Sequence, residues 1–377
     1  MLNLLDEGSR AQLEACEWLG KFNDISIVPA LVDAIYFVKV PGEWDWALEK
    51  ISGRNYGRDW ARWMEWLGKQ DFEPHSAYSQ FKQELLGRID PDFSLFLRPK
   101  FDRAIRLDEI VWGGVRKDGI PSLDDPKMIM ANEASYLNED EDVFGLSMDG
   151  EHHAYPLRIL NWHEMLNVTI GGKAVTLTYC TLCGAAVPYE GQIDGNTYTF
   201  GSSGLLYRSN KLMYDRQTNS LWSSLHGKPV VGPLVGKNIQ LKRHYVVRTT
   251  WKEWKEMNPS TLVLDINTGF ERDYRPGSVY KEYIKSKDTM FPVAWRDKRL
   301  KAKDWVYGLI IRGTAKAYPL KKLKKKSMLQ DAFAGENILL LLASKNLTVR
   351  AYQRGDRVFR DQIVSGVLTD TEGDEWM

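Results

Sequence analysis

Two cysteines stand in the run Cys180-Thr181-Leu182-Cys183-Gly184, where an apolar β-type stretch over residues 173–179 gives way to a glycine. Two sulfurs at this spacing, in a turn at a strand end, can chelate one ion, close a redox disulfide or simply stay reduced. A closed structural zinc site needs four protein ligands, and there is no second CxxC, so further ligands must come from elsewhere or one position stays open. His163, in Asn161-Trp162-His163-Glu164-Met165, is the leading addition, because this helix-like stretch precedes the cysteine strand by one short turn. His226 and the pair His152-His153 are weaker candidates, and Met213 offers a soft thioether. Two thiolates with an imidazole favour copper, zinc or iron over magnesium or calcium. The bland reading of His163 is a core histidine satisfied by its neighbours.

An internal comparison singles out these residues. Val143-Phe-Gly145-Leu146, Gly150 and Ala154-Tyr155-Pro156-Leu157 lie without a gap over Val306-Tyr-Gly308-Leu309, Gly313 and Ala317-Tyr318-Pro319-Leu320, an offset of 163. The register continues through Met165 over Met328, Gly172 over Gly335 and Tyr189 over Tyr352. This pattern predicts a duplicated structural unit. At the same offset His163 falls on Lys326, Cys180 on Ala343 and Cys183 on Asn346. Residues common to both copies answer to the scaffold, whereas those unique to the first are free for chemistry.

A second cluster follows in Phe200-Gly201-Ser202-Ser203-Gly204 through Tyr207-Arg208, then Tyr214-Asp215-Arg216 and Trp222. Its glycines would let a backbone approach a ligand, or mark bulges in strands. Ser203 lacks the Gly-x-Ser-x-Gly spacing of a hydrolase nucleophile. The lysines 321, 322, 324, 325 and 326 read as a solvated helix face. Met213, His226, Glu164, Tyr155, Arg208, Tyr214, Asp215 and Trp222 are expected to complete or support a site built on Cys180, Cys183 and His163.

The elements that must carry this chemistry come in two textures. Residues 9–38 place apolar side chains at helical spacing, interrupted by Lys21-Phe-Asn-Asp24, which predicts an antiparallel helix pair. With further helical stretches at residues 59–67 and 79–89, the first hundred residues resemble a degenerate HEAT-type segment, either a cap or a docking platform for a protein partner. From residue 110 short β-type runs alternate with glycine, proline and Asp/Asn turns. The expected class is α+β: a helical segment over 1–100, a first β-rich repeat over 110–245, a connector over 246–289 and a second, degenerate repeat over 290–377. Residues 265–289, irregular and rich in Gly, Tyr and charge, are expected to wrap the surface or border a cleft. The second copy ends soon after Asp374-Glu-Trp376, as though cut short.

Composition narrows the partners. Lys plus Arg number 51 against 50 for Asp plus Glu, so no bulk field recruits nucleic acid or acidic lipid. Hydrophobic residues at 43% and charged residues at 27% fit a soluble globular chain. No apolar run is long enough for a transmembrane helix, and the N-terminus lacks a signal-peptide pattern. Three cysteines make no disulfide framework, and Cys16 reads as an apolar filler of a helix.

Asp118-Gly-Ile-Pro121, the run Ala154 to Glu164, Thr178-Tyr179-Cys180-Thr-Leu-Cys183-Gly184, Phe200-Gly201 through Tyr207, and Tyr214-Asp215-Arg216 through Trp222 resemble a bacterial and archaeal family catalogued as domain of unknown function 3179. The resemblance spans most of 110–377. It implies a fold neighbourhood and an exported or periplasmic setting, and no established reaction. It also places Thr181 where proline is frequent in relatives. Soft ligands and expected export together make copper the first metal, with zinc or iron as alternatives. The reading is a metal-binding or redox protein, an oxidoreductase acting on a small molecule or redox partner. Metal-free thiol–disulfide exchange and a non-enzymatic scaffold are the alternatives.

Overall fold

The computed structural model describes residues 1–6, 9–37, 44–343, 348–364 and 367–376. The chain is α+β, with helices before residue 97 and mostly strands after residue 110. It divides into two compact units, each gathered from three stretches. Met1–Lys127, Arg158–His244 and Asn267–Asp297 make the first; Met128–Leu157, Tyr245–Ile266 and Lys298–Met377 make the second.

In the first unit, helices Ser9–Phe22, Val28–Phe37, Trp44–Ser52, Trp60–Leu67 and Tyr78–Gly87 precede the short helix Phe93–Phe96. Local chemistry sets their starts: the Asp59 carboxylate accepts from the Arg62 N–H at 3.0 Å, and Asp24 from the Ser26 N–H at 2.9 Å. Cys16 is buried among their apolar side chains, as expected of a filler. Leu31, Trp63, Phe81 and Leu85 pack in one core with Ile110, Leu205, Leu212 and Tyr214 of a five-stranded antiparallel sheet. That sheet runs in the order Ile110–Trp112, Phe200–Tyr207, Asn210–Asp215, Leu221–Ser223, Lys228–Val231.

The two-residue period of a strand sends neighbouring side chains to opposite faces. Leu212 and Tyr214 therefore join the helices, whereas Met213, with Phe200 and Trp222, meets Met165 and Tyr189 of a second sheet. This sheet has the order Leu123–Asp124, Met165–Ile170, Lys173–Cys180, Ala185–Glu190. Three layers result: helices, five strands, four strands. The helix Leu157–His163 leads directly into Met165–Ile170.

The second unit holds a five-stranded sheet in the order Val247–Thr250, Asp142–Met148, Glu151–Pro156, Leu262–Leu264, Met128–Met130. Gly145 in its second strand lies under the Trp254 ring, where a Cβ would stand 2.2 Å from the ring carbons. The unit continues with strands Val306–Ile311 and Thr314–Pro319, helix Leu320–Lys326, and strands Met328–Phe333, Glu336–Ala343 and Thr348–Gln353. Strand Glu151–Pro156, helix Leu157–His163 and strands Met165–Ile170, Lys173–Cys180 and Ala185–Glu190 come in the same order and with the same lengths at the earlier offset. The earlier run is divided between the units, and the later one lies wholly in the second. Asn346, over which Cys183 was laid, is outside the described residues, as is Met377. In helix Leu320–Lys326 the leucines 320 and 323 are buried and the lysines exposed. Among the described residues no helix is long and apolar enough to cross a membrane.

Asp215 is a structural device of the first unit. Fully buried, its carboxylate accepts from Thr218 N at 2.6 Å, Thr218 Oγ1 at 2.8 Å, Ser220 N at 3.2 Å and Trp222 Nε1 at 2.8 Å. In the second unit Asp370 accepts from Trp376 Nε1 at 3.1 Å and from the N–H groups of residues 372–374. Asp215→Ala takes an acceptor from four donors, the buried Ser220 N–H and Trp222 Nε1 among them. It should lower stability by roughly 3 kcal/mol in urea denaturation, and a loss below about 1 kcal/mol would contradict this role.

Candidate functional site

Strand Lys173–Cys180 ends in a turn over residues 181–184 that returns the chain into Ala185–Glu190, with Cys180 opposite Ala185. The turn closes through Cys183 N–H to Cys180 O at 3.1 Å, and Gly184 takes φ +63°, the left-handed region that glycine adopts without strain. Both sulfurs then project together: Cys180 Sγ and Cys183 Sγ are 2.9 Å apart. Cys180 is buried and Cys183 exposed.

A second turn presses on Cys183 from the neighbouring sheet. Asn210 Nδ2 donates to its sulfur at 3.2 Å, and the Ser209 carbonyl lies 3.9 Å from it. Arg208 and Ser209 form the two-residue connection between strands Phe200–Tyr207 and Asn210–Asp215, at φ +48° and +63°. Such turns favour Asn and Gly, so two ordinary residues there carry strain. Arg208 is pinned by Nε to Glu109 Oε1 at 2.7 Å and Nη2 to Oε2 at 2.9 Å; Ser209 Oγ donates to Pro292 O at 2.7 Å.

Lys211, the residue after Asn210, sends a fully enclosed ammonium beneath the thiols. Nζ donates to Glu164 O and Tyr179 O, both at 2.7 Å, and lies 3.6 Å from Glu164 Oε2. Glu164 closes the preceding helix in the left-handed region, at φ +54°, and its Oε1 accepts from Thr181 Oγ1 at 2.9 Å. The Cys183 thiol's hydrogen bond pulls the Cys180 pKa down, aided by the Lys211 N–H and charge and opposed by burial and the Glu164 carboxylate. The same hydrogen bond, then burial and the Cys180 charge, push the Cys183 pKa up. One negative charge on the pair is thus centred on the inner sulfur. Burial lowers the Lys211 pKa, while Glu164 and Cys180 favour its charged form.

His163 is engaged elsewhere. Its Nδ1 is 2.8 Å from Pro121 O, which can only accept, so Nδ1 carries the proton; Nε2 then accepts from the Tyr274 hydroxyl at 2.6 Å. Thr268 Oγ1, 2.5 Å from that hydroxyl, donates in turn. The ring is fully buried against Phe270 and Tyr274, and burial chiefly, with the Arg272 charge, lowers its pKa. Neither ring nitrogen is directed at a sulfur. Among the described residues no group of three or more His, Cys, Asp or Glu is arranged to hold a metal ion.

The other expected residues scatter. Glu164 and Arg208 flank the thiol turn as described. Met213 and Trp222 are core between the sheets, and Asp215 serves the fold. The Tyr214 hydroxyl donates to Asp118 Oδ2, whereas His226 is exposed. Tyr155 belongs to the second unit, where it is fully buried and its hydroxyl is 3.1 Å from His153 Nδ1. Four contributors were missed: Lys211, Asn210, Tyr274 and Tyr283. Alternation held a signal for Lys211, which shares a strand face with the buried Met213 and Asp215. The tyrosines come from the irregular stretch, which returns to the first unit at two points. Tyr274 meets His163, and the Tyr283 hydroxyl donates to Leu182 O in the thiol turn at 2.9 Å.

Residues 117–377 match the family described as "Protein of unknown function (DUF3179)". The chain belongs to the DUF3179 family. The matched stretch contains both cysteines, His163, Glu164 and Lys211. No curated protein and no solved structure matches the chain. For this DUF3179 protein, Tyr274→Phe should cost about 1–2 kcal/mol, because a buried imidazole nitrogen loses its donor; nitrogen NMR of His163 should report the Nδ1–H tautomer. Its depressed pKa adds a pH dependence: the stability is full above the unfolded value of about 6.5 and falls as pH drops through the lower folded value. His163→Gln should flatten part of that slope in denaturation series between about pH 7 and 5, and an unchanged slope would contradict the assignment.

Proposed function

We propose that this DUF3179 protein is a thiol–disulfide oxidoreductase whose working group is the pair Cys180 and Cys183. The observation that carries the reading is the 2.9 Å separation of one buried and one exposed sulfur at a strand end. This is within the reach of a shared proton, and little movement would close a disulfide of about 2.05 Å. Exposure assigns the roles. Cys183 meets the external disulfide R–S–S–R′, and its proton passes towards the Cys180 sulfur as it attacks. The R–S to Cys183 bond forms, the S–S bond breaks, and R′S⁻ leaves with the proton handed back by Cys180, which is left as the thiolate. Cys180 then attacks the Cys183 sulfur as the thiolate and expels RS⁻, which takes its proton from solvent. Two electrons move from the protein dithiol to the substrate disulfide, and two thiols are released.

The fixed Lys211 ammonium and the Lys211 N–H support the inner sulfur as thiolate, which suits it to the resolving step. A soft metal held by the same two thiolates, copper first, is the second reading, favoured by the convergence of both sulfurs on one point. It would use Cys180 and Cys183 without His163.

Reduced protein should transfer disulfide from bis(2-hydroxyethyl) disulfide. Cys180→Ser should stop at a mixed disulfide on Cys183, detectable by mass, and Cys183→Ser should abolish the first step. A reduced wild-type protein inert to this disulfide would sink the reading. Metal analysis of untagged protein separates the second reading: bound metal that falls in Cys180→Ser and persists in His163→Ala would favour it.

A further inference from the structure

The strand that leaves the thiol turn, Ala185–Glu190, is the last of its sheet. In an antiparallel ladder alternate residues turn their N–H and C=O to opposite sides. Pro188 O accepts from His244 N and Glu190 N donates to Lys242 O, both at 2.9 Å, so these residues face outward. By alternation Ala186 faces outward too. Its opposite residue agrees: Tyr179 gives its N–H to Glu164 O at 2.8 Å, away from Ala186. Residues 242–244 thus already lie along this edge as an added, antiparallel segment, but they reach only Pro188. Among the described residues nothing hydrogen-bonds the outward N–H and C=O of Ala186. Exposed edges are normally guarded by charge, proline or a bulge; Ala185, Ala186 and Val187 are small, uncharged and only half-buried.

This unguarded stretch starts two residues after the exposed Cys183. We infer that it is the substrate-docking edge: an extended polypeptide segment with a cysteine in a disulfide adds as a strand on Ala186 and presents that sulfur to Cys183. The inference rests on the thiol-exchange reading and names its substrate class. Main-chain hydrogen bonds supply the affinity, so recognition tolerates many side chains but not a missing backbone N–H at the paired position. Cys183 is three residues from Ala186, at most about 10 Å of chain, so the substrate cysteine falls no more than two or three residues from the one that pairs.

The test compares two disulfides in single-turnover transfer to reduced protein: bis(2-hydroxyethyl) disulfide, and a ten-residue cysteine peptide as its mixed disulfide with 2-mercaptoethanol. Ala186→Pro removes the outward N–H, which the inner ladder does not use. The peptide rate should fall about fivefold or more, as expected from one lost main-chain hydrogen bond, with the small disulfide within about twofold of wild type. Independently of how that variant folds, N-methylation scanned along the peptide against wild-type protein should show one sensitive position no more than two or three residues from the cysteine. A peptide rate indifferent to every N-methyl group, while the small disulfide reacts, overturns strand addition alone. A wild-type protein inert to the small disulfide removes the parent reading, and this one with it.

Discussion

A single buried ammonium organises the thiol site. Lys211 enters from the five-stranded sheet and donates to the carbonyls of Glu164 and Tyr179, which belong to the end of a helix and to the cysteine strand. Three chain segments are thereby held at one point. A charge out of water is tolerable only when it is hydrogen-bonded and paired, and here two carbonyls accept from it and the Glu164 carboxylate balances it at 3.6 Å. The same group fixes Glu164 in a left-handed conformation that a non-glycine residue resists. The arrangement is mutually dependent: without the cation, two buried carbonyls would each lose a donor and the Glu164 carboxylate its charge partner, and the turn bearing the sulfurs would lose its floor.

Strain recurs around the thiols in a consistent pattern. Glu164, Arg208 and Ser209 all take positive φ, and each is held by side-chain bonds from outside its own turn. Tight turns bring Cys183 against Asn210 and Ser209, while the returning stretch after Asn267 seals the helix end through Tyr274 and touches the thiol turn through Tyr283. The imidazole and the thiols occupy separate hydrogen-bond networks in the same unit. His163 closes a neutral chain of Pro121, Tyr274 and Thr268, which uses both nitrogens and suits a structural role better than a ligand's.

Much of this was legible in the residues themselves. Strand and helix periods gave the α+β class, the turn at the end of the cysteine strand and the exposed lysine face of helix Leu320–Lys326, because alternation and helical spacing are local properties. CxxC spacing placed two sulfurs within reach for the same reason. Partner choice was not local. His163 lies seventeen residues before Cys180 in sequence, and only the packing of residues 267–274 settles which groups its nitrogens meet. Met213 and Trp222 read as possible ligands and are core, since the face a strand residue occupies is known from alternation but not what covers it.

The sequence by itself determined the chemical inventory: two thiols three residues apart, a near-even balance of charge, and a family defined by runs of ordered residues. Tertiary structure alone decided that one sulfur is covered and the other open, that a lysine from another sheet underlies them, and that among the described residues the edge beside them ends unpaired. Burial and long-range hydrogen bonds arise from segments far apart in the chain, and no local pattern encodes which of them will meet.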